Sequence, residues 1–452
     1  MRMRVVGGEP GLWGNDVPQP ADVAHLLRRA GFGGTTAQVA TLAAQPWATT
    51  VDQLLDFSSA PADVQPSYLT DDAVGDWEKE YRLQQWWLDR MATSTTPLQE
   101  KLTLFWHGHF ATANYKVGDM LLMYQQNALF RANAIGNFRD DLVQTMSLQP
   151  AMLIWLDNDP NVVGSPNENF ARELMELFTL GVNRYTQADV VASARAWTGH
   201  NTLDSDREQY HFYPERHDDG MKSFMGIRKN WDGPDIIQHI LGNNAVHKQI
   251  AAKFIAAKMW SFFAYPDPDD AVVTSLANTF LAGDLSVHDL VRAIFMHPQF
   301  VSTQAKQGLV RSPAEWVAAC MRVAGITAED ANPQWYMDDM GQQLFEPPNV
   351  SGWRPNAYWL TTSRLWARAN FARGLVWRNH VQDVLQGIKD LAVPEAVQLG
   401  FSTFGIDRPS AHTRNVLQTW LTHQRADNNA WINWTWINLL TQLMLCPEFN
   451  LA

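Results

Sequence analysis

Residues 71–112 read DDAVGDWEKEYRLQQWWLDRM, ATSTT and PLQEKLTLFWHGHFAT, and their patterning decides the fold class. In 71–91 and 97–112 the apolar residues recur at the spacing of a helix face. The same period returns at 117–133, 137–148, 152–157, 233–242, 245–264, 270–281, 286–296, 312–324, 361–392, 410–422 and 430–445. The expected fold is therefore mostly α, a large multi-helix globular array. Helix starts are marked at Ser165-Pro166-Asn167-Glu168, where Ser is placed to cap and Glu to complete a capping box, and at Thr186-Gln187-Ala188-Asp189. Gly181 fits the end of the intervening helix.

Two stretches break the helical period. One is 199–232, rich in His, Asp, Tyr and Gly, in which Gln209–Tyr213 reads as a short strand. A small β-hairpin or irregular insertion is expected near 200–230. The other is 346–359, EPPNVSGWRPNAYW. Long irregular segments inside a compact domain are often functional. No clean linker divides the chain; 265–270 and 325–334 are weak boundaries only. The reading is one helical domain over 20–452 after an irregular segment 1–19.

Bulk properties narrow the function. The 452 residues are 46% hydrophobic and 18% charged, a globular balance. The 20 tryptophans are expected mainly as core anchors. A net charge of −12 without a basic stripe argues against nucleic-acid partners, which need Lys and Arg to displace counterions. No apolar run is long enough to span a bilayer. The arginines of Met1–Pro10 precede no apolar stretch, so no signal peptide is read and the cytoplasm is the expected compartment. Cys320 and Cys446 lie in apolar helical stretches and read as buried small hydrophobes.

Three groups carry ligand-type side chains. The first is His107-Gly108-His109. Such a pair holds one ion on extended backbone, whereas on a regular helix the two side chains project about 200° apart. Gly108 offers a local loosening; otherwise each His is a separate core residue. The second is the stripe Asn169, Arg172, Glu173 and Glu176 on the helix NENFARELMELFTL, facing either a polar cleft or solvent with an Arg172–Glu176 pair. The third is the loop 216–222, in which His217, Asp218, Asp219 and Lys222 surround a turn glycine, as a cation or acid–base site or as a solvated turn. Gln126-Asn127, Trp197-Thr198-Gly199-His200 and the loop Asn349–Trp359 read as packing and turn formation, with sugar recognition as the other use of aromatic and amide groups. Nucleotide-binding loops, the serine-nucleophile elbow and zinc-protease motifs are missing from the sequence.

Taken together, AHLLRRAGFG at 24–33, KLTLFWHGHFAT at 101–112, NENFARELMELFTLGV at 167–182 with YTQADV after it, HDDGMK at 217–222 and LFEPPNVSGW at 344–353 resemble the bacterial domain-of-unknown-function 1800 family. The resemblance runs from about residue 20 to the C-terminus. It implies a largely helical fold and marks His107, His109, Arg172, Glu173, Glu176, His217, Asp218, Gly220 and Lys222 as matched positions without roles. Relatives often carry Asn where this chain has Gly108, many look exported, and many sit beside a sulfatase-like family, a possible partner by resemblance.

Three functional readings follow. One is a metal-dependent, hydrolase-like enzyme with zinc, manganese or iron on His107, His109, His217 and Asp218, and with Glu173, Glu176, Arg172 and Lys222 as catalytic or substrate-binding groups. The second is a metal-free carbohydrate-active or carbohydrate-binding protein using a carboxylate pair. The third is a scaffold whose polar clusters fix helix register.

Overall fold

The structure is a computed structural model describing residues 16–378, 387–427 and 432–452. Most of these are helical, and the described residues hold only two small antiparallel sheets of two strands each. The site is positioned by α1 (Pro20–Arg29), α2 (Asp76–Thr93), α3 (Pro97–His109), α4 (Met120–Ala132), α5 (Asn169–Glu173), α6 (Gln187–Ala196), α7 (Ala245–Phe263) and α8 (Pro313–Ala324). The period-based expectations hold for α2, α3, α4, α7 and α8, the stretch 167–180 read as helix begins with α5, and the start marked at Thr186 holds for α6, whereas α1 is an addition. Helices at Thr36–Leu42, Trp47–Leu55, Gln334–Met340 and Val393–Thr403 add to them. The expected helix 361–392 is observed as Thr362–Leu375, and its part at 379–386 lies outside the described residues. Of the N-terminal segment, 16–19 is irregular and 1–15 lies outside the described residues.

The centre of the molecule is α3, buried at every position from Leu98 to His107. A helix buried on all sides must satisfy its polar residues internally. Glu100 accepts hydrogen bonds from Trp87 Nε1 (3.0 Å), Arg90 Nε (3.0 Å) and Arg131 Nε and Nη2 (2.7 and 3.0 Å). Arg131 also binds Asp63 (2.8 Å) and Asn127 (2.6 Å). Lys101 pairs with Glu315 at the start of α8. Trp87, Trp106, Trp197, Trp260 and Trp316 are fully buried, as the tryptophan count leads one to expect. Cys320 and Cys446 are free and buried, and burial raises both thiols above their ordinary range. Among the described residues no helix is long and apolar enough to cross a membrane.

The helix that begins the NENFARELMELFTL stretch differs from expectation in two ways. Ser165 does not cap it. Ser165 turns back on Val162, and the Asn167 side chain takes the first N–H, that of Asn169, at 2.9 Å. After Glu173 the chain widens into a π-helix over Leu174–Thr179. Such widening is rare and concentrates at functional sites. Here it moves Glu176 off the line of Arg172. Thr186 and Asp189 do form the expected capping box at α6, and Gly181 adopts a positive φ after the preceding helix.

The insertion after α6 is richer than one hairpin. Strand β1 (His200–Leu203) pairs with β2 (Asp206–Phe212), and β3 (Lys222–Phe224) pairs with β4 (Ile227–Lys229). The Trp/Asn-rich loop lies on the end of α3. Gly352 has φ +76°, and a Cβ there would come within 2.3 Å of the Gly108 carbonyl oxygen. Two glycine backbones in contact therefore seat the loop beside the HxH motif.

Candidate metal centre

The residues expected to bind metal are not brought together as a set. Helix α3 stays regular through His109, so the two histidines point into different surroundings. His107 packs edge-on against Trp87 (5.2 Å) and Phe345 (5.4 Å) and lies 5.5 Å from Trp353. Its Nε2 has no hydrogen bond among the described residues, and burial brings the imidazolium down to about 3. His109 instead hydrogen bonds through Nε2 to the Phe178 carbonyl (3.1 Å) and through Nδ1 to Lys258 (2.8 Å). Burial and the Lys258 charge hold it well below the usual range, against the carbonyl's opposing effect. Gly108 does not loosen the helix, and a Cβ there would meet nothing within 4 Å; the glycine that the close approach requires is Gly352.

The other expected residues divide the same way. Arg172 pairs back to Glu168 (2.9 Å), not forward to Glu176, and Glu176 accepts the Tyr185 hydroxyl instead. Burial, then the charge of Glu176, raises Glu173 above the usual carboxylate range. Asp218 is clamped by Arg195 (2.6 and 3.1 Å) and accepts the Gly220 N–H (2.8 Å). The Arg195 hydrogen bonds lower it most, against the effect of burial. Lys222 is buried, and its ammonium donates to the Asp218 carbonyl, Asn230 Oδ1 (3.0 Å) and Trp231 O (2.8 Å). All three of its hydrogens are committed to holding the loop, which leaves none for substrate. Asp219 is exposed. Gln126 and Asn127 are core polar groups, bonded to Thr112 and Arg131.

One expected ligand, His217, does join a cluster. Its partners are His200 and Asp232, and a ligand-type atom from each lies within 4.8 Å of the other two. The construction is local and begins at the end of α6. Gly199, at φ +78°, turns the chain from that helix into β1, so that His200 opens the strand. A Cβ on Gly199 would meet Tyr213 O at 2.6 Å and His217 N at 3.1 Å, so glycine lets the 213–217 backbone close over the turn. His217 Nδ1 donates to the Thr198 carbonyl (2.8 Å), and the Asp218 N–H donates to the Thr198 hydroxyl (2.8 Å). The β1–β2 pairing brings the Tyr210 hydroxyl to His200 Nδ1 (2.9 Å). Lys222 ties the far end of the loop to Trp231, and Asp232 then caps the helix Gly233–Gln238.

The cluster retains unused valence. Asp232 Oδ1 accepts both His200 Nε2 (2.7 Å) and the Gly233 N–H (2.8 Å). Among the described residues Oδ2 of Asp232 and Nε2 of His217 accept no hydrogen bond. The carboxylate side chain is 46% exposed, while both imidazoles are buried, so the cluster opens to solvent on one side. Burial raises Asp232, but the hydrogen bonds from His200 and Gly233 and the nearby imidazoles outweigh it and keep the acid below its ordinary range. Burial, with the Asp232 charge, pushes the Tyr210 hydroxyl up to about 12.

The sequence reading passed over two of these three residues. His200 stands in the WTGH motif, there read as packing, and Asp232 directly precedes the helix read at 233–242. The available signal was that Asp232 occupies a helix N-cap; nothing in the spacing joins it to His217.

The family described as protein of unknown function (DUF1800) matches residues 25–451 of the chain. Nothing matches among curated proteins or among solved structures.

Proposed function

The chain belongs to the DUF1800 family, whose description assigns no reaction, and we propose from the site's own geometry that it is a metal-dependent, hydrolase-like enzyme holding one divalent transition-metal ion on His200, His217 and Asp232. The observation that carries this reading is the pairing of convergence with orientation. Each histidine has its Nδ1 engaged by an oxygen, the Thr198 carbonyl or the Tyr210 hydroxyl, while the third residue is a half-exposed carboxylate. Metal-binding histidines almost always donate their second N–H to such a partner; His217 already does, and His200 would do so toward Tyr210 once an ion displaced the Nε2 proton now donated to Asp232.

Two ligand atoms bound to one ion at about 2 Å lie at most about 4 Å apart, so a spread of 4.8 Å closes with a shift of about an ångström. Two imidazoles and one carboxylate suit zinc, manganese or iron and leave a coordination position for water. A bound ion would supply Lewis-acid polarisation and a more acidic water. Thr198 and Tyr210 orient the imidazoles. Arg195, through Asp218, and Lys222, through the 218–231 backbone, hold the loop that brings His217 and Asp232 within reach of His200.

Elemental analysis of protein purified without an affinity tag, after incubation with zinc, manganese or iron(II), tests the reading. The wild-type chain is expected to hold close to one ion. His217→Ala and Asp232→Ala are expected to lose it, and His107→Ala to keep it. A folded wild-type chain that takes up none of the three metals overturns the proposal. A metal-loaded chain that hydrolyses no member of an ester, phosphoester and amide panel keeps the centre and removes the hydrolase assignment.

A further inference from the structure

A second site lies away from the metal cluster and shares no residue with it. The ends of α3 and α7, the start of α8 and the loop around Trp353 enclose a cavity of about 730 Å³. That is the size of a small-molecule pocket. Phe105, Phe254, Phe262, Trp353 and Trp359 supply apolar wall, and Lys258 lines it beside them. The contact between Gly352 and Gly108 holds the tryptophan-bearing side against the α3 end.

The Lys258 ammonium in this cavity is paired with no carboxylate side chain among the described residues. Lys258 Nζ donates to His109 Nδ1 at 2.8 Å and lies 5.2 Å from the centre of the Phe254 ring, and among the described residues it has no other hydrogen bond and no ion pair. An ammonium carries three N–H donors, so two have no protein acceptor. Glu315 cannot neutralise it. One of its oxygens is taken by Lys101, and the other accepts the Ser312 N–H at 2.6 Å. Arg29 also lines the cavity, and its Nη2 is directed at the carbonyls of Ala264 (3.0 Å) and Ala305 (2.9 Å). Asp267, the other acidic side chain at the cavity, is exposed, and Ala452, the last residue, also lines it. Burial brings the Lys258 ammonium down to about 8, as expected of a cation removed from water without a counter-charge.

We propose that this cavity binds a small organic acid, its carboxylate on the Lys258 ammonium and its flat apolar body against the Phe and Trp walls. One carboxylate supplies acceptors for the two unmet donors and a single negative charge for the one ammonium that faces the space. Both hydrogens of Arg29 Nη2 go to backbone carbonyls and its Nε has no partner among the described residues, so the guanidinium leaves no bidentate fork for a phosphate.

Calorimetric titration of the full chain with 2-naphthoate, with its neutral amide 2-naphthamide and with 2-naphthyl phosphate tests the assignment. Naphthoate is expected to bind, with the amide and the phosphate each at least tenfold weaker. Lys258→Met is expected to lose the preference of acid over amide. Trp353→Ala, a change on the loop rather than in the helical core, is expected to weaken acid and amide alike. Equal affinity for acid and amide in the wild type overturns the role of Lys258, as does undiminished acid binding in folded Lys258→Met. No binding of any of the three overturns the site. His217→Ala, titrated with a chelator present, is expected to bind naphthoate as the wild type does, so failure of the metal proposal leaves this result unaffected.

Discussion

Two clusters of charged side chains in this protein are built from similar groups and reach opposite ends. Around Glu100, deep on α3, both carboxylate oxygens are taken by Trp87, Arg90 and Arg131, and Arg131 is bound in turn by Asp63 and Asn127. Around Asp232 one carboxylate oxygen does all the accepting. The other, and the Nε2 of His217, accept nothing from the described residues. Glu100 is sealed from water, whereas Asp232 opens to it. Polarity alone therefore does not separate scaffold from site. A buried charge that holds the fold together needs every bond it can make, because an unmet one costs free energy. A group that serves a ligand must keep one bond in reserve.

The largest expected effect breaks the comparison on its structural side. Glu100→Leu strips Arg131 of its main counter-charge in the core and is expected to lower unfolding free energy by about 3–5 kcal/mol, read by denaturant titration. Metal uptake by the fraction that stays folded is expected to be unchanged. A loss of uptake in step with the loss of stability would mean that the two clusters are one system.

The next effect is smaller and lies on the other side. Tyr210→Phe removes the hydroxyl that orients His200, and metal affinity is expected to fall roughly 10- to 100-fold with little change in the stability of the metal-free chain. Competition against a chelating dye reads the affinity. If the variant instead loses stability and keeps its affinity, the cluster belongs with Glu100.

The smallest effect concerns an intermediate case. Glu346 accepts one backbone N–H from Tyr115 (3.3 Å), and burial, with the charge of Glu80 nearby, pushes it up to about 7. An acid raised in the folded state contributes stability that is full below its unfolded value, near 4.5, and is lost as pH rises through about 7. Glu346→Gln is expected to flatten that decline and to raise the melting temperature at pH 8 by roughly 1–2 °C, the residue being only half-buried. A variant with an unchanged pH profile would show that the strain between Glu80 and Glu346 is relieved by water.

How far the candidate site was readable differs residue by residue. His217 was found because a His beside Asp and a turn glycine is a recognisable ligand pattern. Asp218 and Lys222 share that pattern but hold the loop, since Arg195 and three loop oxygens reach them in space. The HxH motif carried its own warning, the wide angle between i and i+2 on a helix, and the regular α3 bears that out. The RExxE stripe was drawn on an ideal helix, and a π-turn at Leu174–Thr179 redirected Glu176 to Tyr185.

By itself the sequence determined the helical class, the positions of most helices, the interruption after α6 and the family, because these depend on short-range periodicity and on runs of residues in order. Only the tertiary structure decided which polar groups meet. His200, His217 and Asp232 are joined by a positive-φ glycine, a hairpin register and a buried lysine clamp, and Lys258 meets His109 because α7 packs against the end of α3. Whether a charged side chain ends satisfied or with a bond in reserve depends on neighbours far away in the chain, and local patterning holds no record of them.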